Sequence, residues 1–166
     1  MEEHLENINS YLSFKLGNEF FAANIRSIIN ILEIPKITTV PKAPAFMKGV
    51  INLRGMVLPI IDTRLKFGME EVAYTKNTCI LVLELMVDNE QINVGAIVDS
   101  AEEVFEIDTD EIKLPPSIGN KIKEGFIKGI VNFKKEFVMI LDMDRVFSTE
   151  DTIEMITAAE IQELSK

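Results

Sequence analysis

The amino-acid sequence predicts a mainly β protein in which one small β-rich unit occurs twice, followed by a C-terminal helix. The β-rich units are indicated by a segment, residues 47–67, that recurs as residues 127–147, and by alternation of apolar and polar residues around both copies. The helix is indicated by apolar residues at helical spacing near the C-terminus.

The two copies of the segment align without a gap at a constant offset of 80 residues. Chance gives about one or two identities over such a length. Six positions of the first copy recur unchanged, namely Lys48, Gly49, Asn52, Ile60, Asp62 and Phe67. Upstream, Leu32-Glu33-Ile34 resembles Phe105-Glu106-Ile107 in the same order. An internal duplication is therefore indicated.

The first repeat begins with a predicted hairpin. Apolar and polar residues alternate over positions 12–16, which is typical of a half-buried strand. Gly17-Asn18 supplies a turn, and residues 20–25 return as a second strand. The apolar run from Ile25 to Leu32 is predicted as a short helix or an irregular loop. Regular structure is excluded after it by three prolines, Pro35, Pro41 and Pro44.

A second hairpin is predicted over residues 50–61, with Arg54-Gly55 as its turn and Asp62 capping a helical turn that ends at Phe67. Pro59 cannot donate a ladder hydrogen bond, so an edge or a bulge is predicted there. In the second repeat, the matching turn is Lys134-Lys135. Without the glycine, a broader turn is predicted.

The second repeat is predicted to have strands near 78–86, 91–98 and 102–107 and a hairpin at 127–142. The run from Cys79 to Leu83 is apolar at every position, which predicts a strand buried on both faces where the repeats meet. Residues 68–77 form a polar connector. The predicted boundaries are 11–76 for the first barrel, 77–148 for the second and 149–166 for the C-terminal helix.

The C-terminal helix is predicted to pack on the barrels through four apolar residues at helical spacing, Ile153, Ile156, Ile161 and Leu164. A free partner-binding helix is the alternative. Ser148 and Asp151 resemble a capping box at its start.

Charge and composition narrow the function. The chain carries 27 acidic and 17 basic residues, a net charge of -10, which disfavours nucleic acid and anionic lipid as partners. No apolar run approaches the roughly 20 residues that span a bilayer, so no direct membrane insertion is expected. No signal peptide is recognised, and Cys79, the single cysteine, cannot form an internal disulfide. A cytoplasmic location is expected.

Residues for chemistry are scarce. The one histidine, His4, lies near the N-terminus, and no histidine–cysteine cluster has the spacing of metal ligands. Phosphate-binding glycine motifs are absent from the sequence. No enzyme activity, no metal and no cofactor are therefore expected.

The apolar run between Ile25 and Leu32 is either plain core or the lining of a half-exposed groove, and exposed apolar patches usually mark partner sites. An adaptor is the leading hypothesis. The alternative is a small-molecule-sensing or regulatory module that uses the cleft between the barrels.

The run from Thr39, TVPKAPAFMKGVINLRGMVLPIIDTRLKFG, resembles the signature of the CheW family, which is close to VPxxPxFIxGVxNLRGxVxPxVDLRxxFG. The segments 14–17, 94–99 and 142–145 fit the same family, so the resemblance covers residues 11–148. It implies two five-stranded SH3-like β-barrels and a non-enzymatic scaffold that couples chemoreceptors to the histidine kinase CheA in chemotaxis signal transduction.

Site residues follow from the resemblance. Contact with the cytoplasmic tip of methyl-accepting chemoreceptors is expected at Leu12, Ile25, Ile28, Asn30 and Arg54. Contact with CheA is expected at Ile37, Val40 and Met56. Asn30 stands where the family usually has a glutamate, so any ion pair with Arg54 is reduced to a neutral hydrogen bond.

Overall fold

The computed structural model describes residues 8–114 and 125–164, which form ten β-strands and two α-helices. His4 and the side chain of Leu164 lie outside the described residues. The first five strands are β1 (Ile8–Leu16), β2 (Glu19–Asn24), β3 (Ile28–Glu33), β4 (Met47–Leu53) and β5 (Met56–Asp62). The second five are β6 (Cys79–Val87), β7 (Glu90–Val98), β8 (Ser100–Asp108), β9 (Ile127–Phe133) and β10 (Glu136–Leu141). Helix α1 is Thr63–Lys66 and helix α2 is Thr149–Leu164.

The strands form two five-stranded curled sheets, as predicted. Sheet 1 has the order β3-β6-β7-β5-β4 and sheet 2 has the order β8-β1-β2-β10-β9. The sheets do not follow the predicted boundary between residues 76 and 77, because β1 and β2 lie in sheet 2 while β6 and β7 lie in sheet 1. Each repeat therefore gives its first hairpin to the sheet that holds the rest of the other repeat.

This exchange places strand β6, with its apolar run from Cys79 to Leu83, between β3 and β7. Leu81 and Leu83 face the central core, which draws side chains from both sheets, whereas Ile80 and Val82 face the interior of sheet 1. The prediction that this strand is buried on both faces where the repeats meet is confirmed. Burying its apolar side chains stabilises the fold by about 1.5–3 kcal/mol each.

Gly49 and Gly129, which occupy the same position in the two repeats, are required for the same structural reason. Thr38 and Val50 form an isolated antiparallel bridge through two backbone hydrogen bonds, of 2.9 and 2.8 Å. Lys113 and Ile130 form the same bridge in the second repeat, at 3.0 and 2.8 Å. Each bridge brings a backbone carbonyl over a glycine of the neighbouring strand, Gly49 or Gly129, where a Cβ atom would collide with it.

The β4–β5 and β9–β10 hairpins have matching turns, so the prediction of a broader turn at Lys134-Lys135 is wrong. Leu53 pairs with Met56, and Phe133 pairs with Glu136, so each turn has two residues. Lys134 and Lys135 have φ values of 51° and 68°, the left-handed region that Arg54 and Gly55 also occupy. The pairing register of β9 and β10 requires a two-residue turn. Lys134 and Lys135 therefore adopt the left-handed conformation, although it strains their backbone.

Replacing Lys135 with glycine is therefore expected to stabilise the protein by about 0.5–1 kcal/mol, because glycine adopts positive φ without a Cβ clash. Urea denaturation measures the difference. The reciprocal change, Gly55→Lys in the first hairpin, should destabilise by a similar amount. A Lys135→Gly variant no more stable than the parent would show that the turn carries no such strain.

The segment after β2 differs from its prediction. A 3₁₀ turn at Ile25–Ser27 is followed by strand β3, not by a helix or loop. The strand forms because β6, from the other repeat, pairs with it, and sequence pattern alone does not show that partner.

Pro59 lies in an interior strand and pairs in register with β4, so the prediction of an edge or a bulge is wrong, but its pairing with the parallel neighbour differs from that of the matching residue, Met139. Pro59 pairs with Val50 of β4, while pairing with β7 begins only at Ile60. In the second repeat, β10 pairs with β2 from Val138 onward, through Met139. The proline shortens the parallel ladder because it has no amide hydrogen to give.

Helix α2 packs against sheet 1, chiefly on β5 and β4. The capping box is confirmed: the Ser148 hydroxyl accepts from the Asp151 amide at 3.0 Å, and the Asp151 carboxylate accepts from the Ser148 amide at 3.1 Å. The predicted contact face is wrong at Ile153 and Ile161, which are exposed, whereas Ile156 is half-buried. The residues that pack are Thr152, Met155, Ala158 and Ala159. Small side chains let the helix approach the sheet closely.

Candidate functional site

A groove of about 410 Å³ lies between the sheet edge at β3 and the tip of the β4–β5 hairpin. Ile29 and Asn30 of β3 form one wall, and Val82 of β6 lies beneath. The hairpin forms the other wall through Leu53, Arg54, Gly55 and Met56. The lining is thus mainly apolar, with a single charged side chain, that of Arg54.

The hairpin wall is held by its turn geometry. Arg54 and Gly55 both have positive φ, 53° and 84°. The Asn52 side-chain oxygen accepts a hydrogen bond from the Gly55 amide at 2.9 Å, which fixes the turn. The tip therefore presents the Arg54 side chain to solvent at the rim of the groove.

The opposite wall is shaped by a β-bulge. The register between β3 and β6 shifts between Ile28 and Asn30, so Ile29 is the extra residue and its side chain is 50% exposed. The Asn30 side-chain oxygen accepts from the Ile31 amide at 2.8 Å. A bulge on an edge strand discourages indiscriminate strand pairing and re-aims side chains. Here it turns isoleucine toward the groove.

Three of the sequence-predicted site residues meet in this groove. Asn30 and Arg54, expected to contact receptor, line it together with Met56, expected to contact kinase. Ile25 is exposed on the 3₁₀ turn before β3, and Ile28 is half-buried beside it.

The other predicted site residues offer little surface. Leu12 and Val40 are buried in the central core, with 4% and 8% of their surface exposed. Ile37 is half-buried and packs into the interior of sheet 1. Leu12 and Val40 therefore support the fold around the groove, because a partner cannot reach them without moving the core, whereas Ile37 keeps part of its surface exposed.

Sequence reasoning missed two exposed apolar side chains of sheet 2, Val104 on β8 and Phe137 on β10, which we refer to together as the sheet-2 patch. Their side chains are 56% and 71% exposed. Lys134 of the β9–β10 turn forms an ion pair with Glu103 of β8 at 3.1 Å. This ion pair links the β9–β10 hairpin to the edge strand β8 of the same sheet. Phe137 aligns with the half-buried Val57 of the first repeat. This difference between valine and phenylalanine at equivalent positions is the sequence signal from which the exposed side chain could have been predicted.

A bidentate ion pair forms between two residues that belong to neither surface, Arg64 and Asp99. Arg64 of α1 binds the Asp99 carboxylate through two hydrogen bonds of 2.9 and 2.6 Å, and the same carboxylate accepts from the Gly17 amide at 2.7 Å. The hydrogen bond from Arg64 holds the pKa of Asp99 below its ordinary value. This cluster joins the β1–β2 turn of sheet 2 to elements of sheet 1.

Among residues 8–114 and 125–164, no three histidine, cysteine, aspartate or glutamate side chains converge as metal ligands. In the same part of the chain, none of the helices has the length and apolarity to cross a membrane.

Comparison with known proteins gives a consistent result. The model of the CheW-like domain family matches residues 10–151. The chain is 30% identical to a chemotaxis protein CheW of Klebsiella aerogenes, covering 85% of this chain and 82% of that protein. It is 33% identical to a probable chemotaxis protein CheW of Rhizobium etli, covering 85% and 88%. The crystal structure of the scaffolding protein TtCheW from Thermoanaerobacter tengcongensis superposes with a TM-score of 0.76 at 28% identity, covering 89% of this chain and 92% of that one.

Proposed function

Because the chain belongs to the family of CheW-like domains, we propose that it is a non-enzymatic adaptor that couples chemoreceptors to the histidine kinase CheA in the cytoplasm. The relatives are chemotaxis proteins CheW, one of them a probable one, and the similar crystal structure is that of a scaffolding protein. The observation that carries the proposal is the family match over most of the chain. The open, mainly apolar groove supports it, because exposed apolar surfaces usually mark partner sites.

An adaptor that bridges two partners needs two surfaces that can be occupied together. The groove provides one, and its apolar lining is the kind of surface that partners cover. The sheet-2 patch provides a second, because Val104 and Phe137 lie in the other sheet.

We assign the groove to the receptor and the sheet-2 patch to the kinase. Asn30 and Arg54 line the groove, and Ile25 and Ile28 continue the same surface along the start of β3. Met56 goes with them, because a groove this small cannot serve two partners at once. Ile37 and Val40 remain as residues that hold the neighbouring loop in place.

The assignment predicts a separable loss of binding. Met56→Asp places a charge among apolar groove residues and should weaken binding of a chemoreceptor cytoplasmic fragment about tenfold, while CheA binding stays within about twofold. Phe137→Asp should do the reverse. Isothermal titration with each purified partner measures both affinities.

Ile153→Asp is the matched control, since it makes the same kind of change at an exposed apolar side chain of α2. It should leave both affinities unchanged. If Met56→Asp lost CheA binding and kept receptor binding, the groove would be the binding site of the kinase instead.

A further inference from the structure

We propose that two copies of this chain exchange halves, so that the first half of each copy completes its sheets with the second half of the other. We call the product the exchanged dimer. The first half is residues 8–67, the connector is residues 68–77, and the second half is residues 78–164. The proposal goes beyond the adaptor function and does not depend on it. It is carried by the strand pairing, the core and the ion pairs between the halves, and by the exposed connector.

Both sheets are built from strands of both halves. In sheet 1, β6 pairs with β3 and β7 pairs with β5, and in sheet 2, β8 pairs with β1 and β10 pairs with β2. Each of these four ladders joins a strand of the first half to a strand of the second half. A half without its complement leaves the edges of these strands unpaired, and an unpaired edge is a template for a strand of another chain.

The central core is also divided between the halves. Phe14 and Ile61 come from the first half, whereas Leu81 and Met155 come from the second half. Helix α2, which belongs to the second half, packs on β4 and β5 of the first half. Neither half buries these side chains by itself, so each half needs a complement, either from its own chain or from a second copy.

Two half-buried ion pairs cross between the halves in the same way. Arg64 of the first half binds Asp99 of the second half, with the shorter of its two hydrogen bonds at 2.6 Å. Lys66 of the first half lies 2.9 Å from Asp151 of the second half, and the two side chains are only 14% and 22% exposed. In an exchanged dimer, both ion pairs re-form between residues of different copies.

The connector that links the halves buries little of its own surface. Residues 70–77 are all exposed. The connector is held to the first half by the Met69 amide, which donates to the Arg64 carbonyl at 2.7 Å, and by an ion pair between Glu71 and Lys48. Ten residues reach roughly 33–36 Å when they are extended. Opening the connector therefore breaks few contacts, while the exchanged dimer keeps all the contacts between the halves.

Exchange changes the composition of the groove. Arg54 and Met56 would come from one copy, and Val82, which lies beneath them, would come from the other. Each exchanged dimer carries two grooves and two sheet-2 patches, so one particle offers every docking surface twice.

The test uses charge reversals at an ion pair that crosses between the halves. Arg64→Asp and Asp99→Arg chains are mixed in urea and refolded together, and the masses of the products are measured by native mass spectrometry. Each variant alone places like charges side by side. An exchanged heterodimer instead pairs the two reversed side chains in one unit and restores the parent pair in the other. The heterodimer should exceed the dimer of either variant alone about tenfold or more.

The matched control is an ion pair that lies within one half. Lys134 and Glu103 both belong to the second half, and their side chains are 3.1 Å apart. In a heterodimer of Lys134→Glu and Glu103→Lys, each second half keeps its own pair of like charges. Mixing these two variants should therefore give no excess of heterodimer. Lys66→Asp with Asp151→Lys, the second pair that crosses between the halves, should behave like the first.

The parent chain gives the result that decides the matter if the reversed chains do not refold. Refolded at increasing concentration, it should form a growing fraction of dimer that persists on dilution, because exchanged halves separate only by unfolding. Monomers alone, in the parent and in every mixture, would overturn the proposal. A dimer that dissociates at once on dilution, or an equal heterodimer excess in the Lys134–Glu103 control, would overturn it as well, since both indicate contact between complete folded molecules. These measurements contain no receptor or kinase, so their failure leaves the adaptor function standing.

Discussion

Replacing Gly49 with alanine is expected to lower the free energy of unfolding by about 3 kcal/mol or more. The φ angle of Gly49 is +148°, and a Cβ atom there would lie 2.1 Å from the Thr38 carbonyl oxygen. The obstacle is backbone, which two hydrogen bonds to Val50 hold in place, so it cannot move aside as a flexible side chain would.

Gly68→Ala is the control for the cost of positive φ alone. Gly68 has a φ of +79°, and nothing lies within 4 Å of its added Cβ. It should lose about 1 kcal/mol. Gly129→Ala, where the Cβ would lie 2.4 Å from the Lys113 oxygen, should match Gly49→Ala. Equal losses for Gly49→Ala and Gly68→Ala in urea denaturation would mean that the bridge yields and does not explain the repeated glycine.

Replacing Asp99 with asparagine is expected to cost about 2 kcal/mol of stability at pH 7. The change leaves the Arg64 guanidinium without its carboxylate at a site where the two side chains are only 15% and 28% exposed. The variant also weakens the hydrogen bond from the Gly17 amide, which ties sheet 2 to the same group. Glu103→Gln, which removes the exposed ion pair with Lys134, should cost only a few tenths of a kcal/mol.

The pH dependence of the free energy of unfolding tests whether the ionised Asp99 side chain supplies this stabilisation. Its pKa is lowered in the folded protein, chiefly by the hydrogen bond from Arg64, so the unfolded chain binds the proton more readily. The contribution to stability is therefore fully present above the unfolded pKa and is lost as the pH falls through the folded pKa, that is, below about pH 4. The stability difference between parent and Asp99→Asn should shrink over that range. A difference that stays constant down to acid pH would show that another interaction is being removed.

The hairpins, the duplicated segment and the caps at Asp62 and Ser148 could be predicted from the sequence because local rules govern them. The exchange of hairpins between the sheets could not, since it depends on which distant strands pair. Strand β3 could not be predicted for the same reason, because it forms by pairing with β6, which is distant in sequence. On helix α2, periodicity identified isoleucines, yet the close approach to β4 and β5 selected alanines and a methionine instead.

The candidate site was predicted in part. The resemblance identified Asn30, Arg54 and Met56, and the structure brings all three into one groove. It also suggested Leu12 and Val40, which the core buries. The apolar run that contains Ile29 was predicted as either core or groove lining, and side-chain pattern could not decide between the two because the exposure of Ile29 comes from a bulge.

The adaptor function is tested most directly by a bridging assay. A chemoreceptor cytoplasmic fragment is fixed to beads, and the amount of CheA retained is measured with and without this chain. We expect CheA to be retained only when the chain is present, and retention to fall with either Met56→Asp or Phe137→Asp but not with Ile153→Asp. Retention of CheA that is the same with and without the chain, while the chain binds neither partner, would contradict the proposed function.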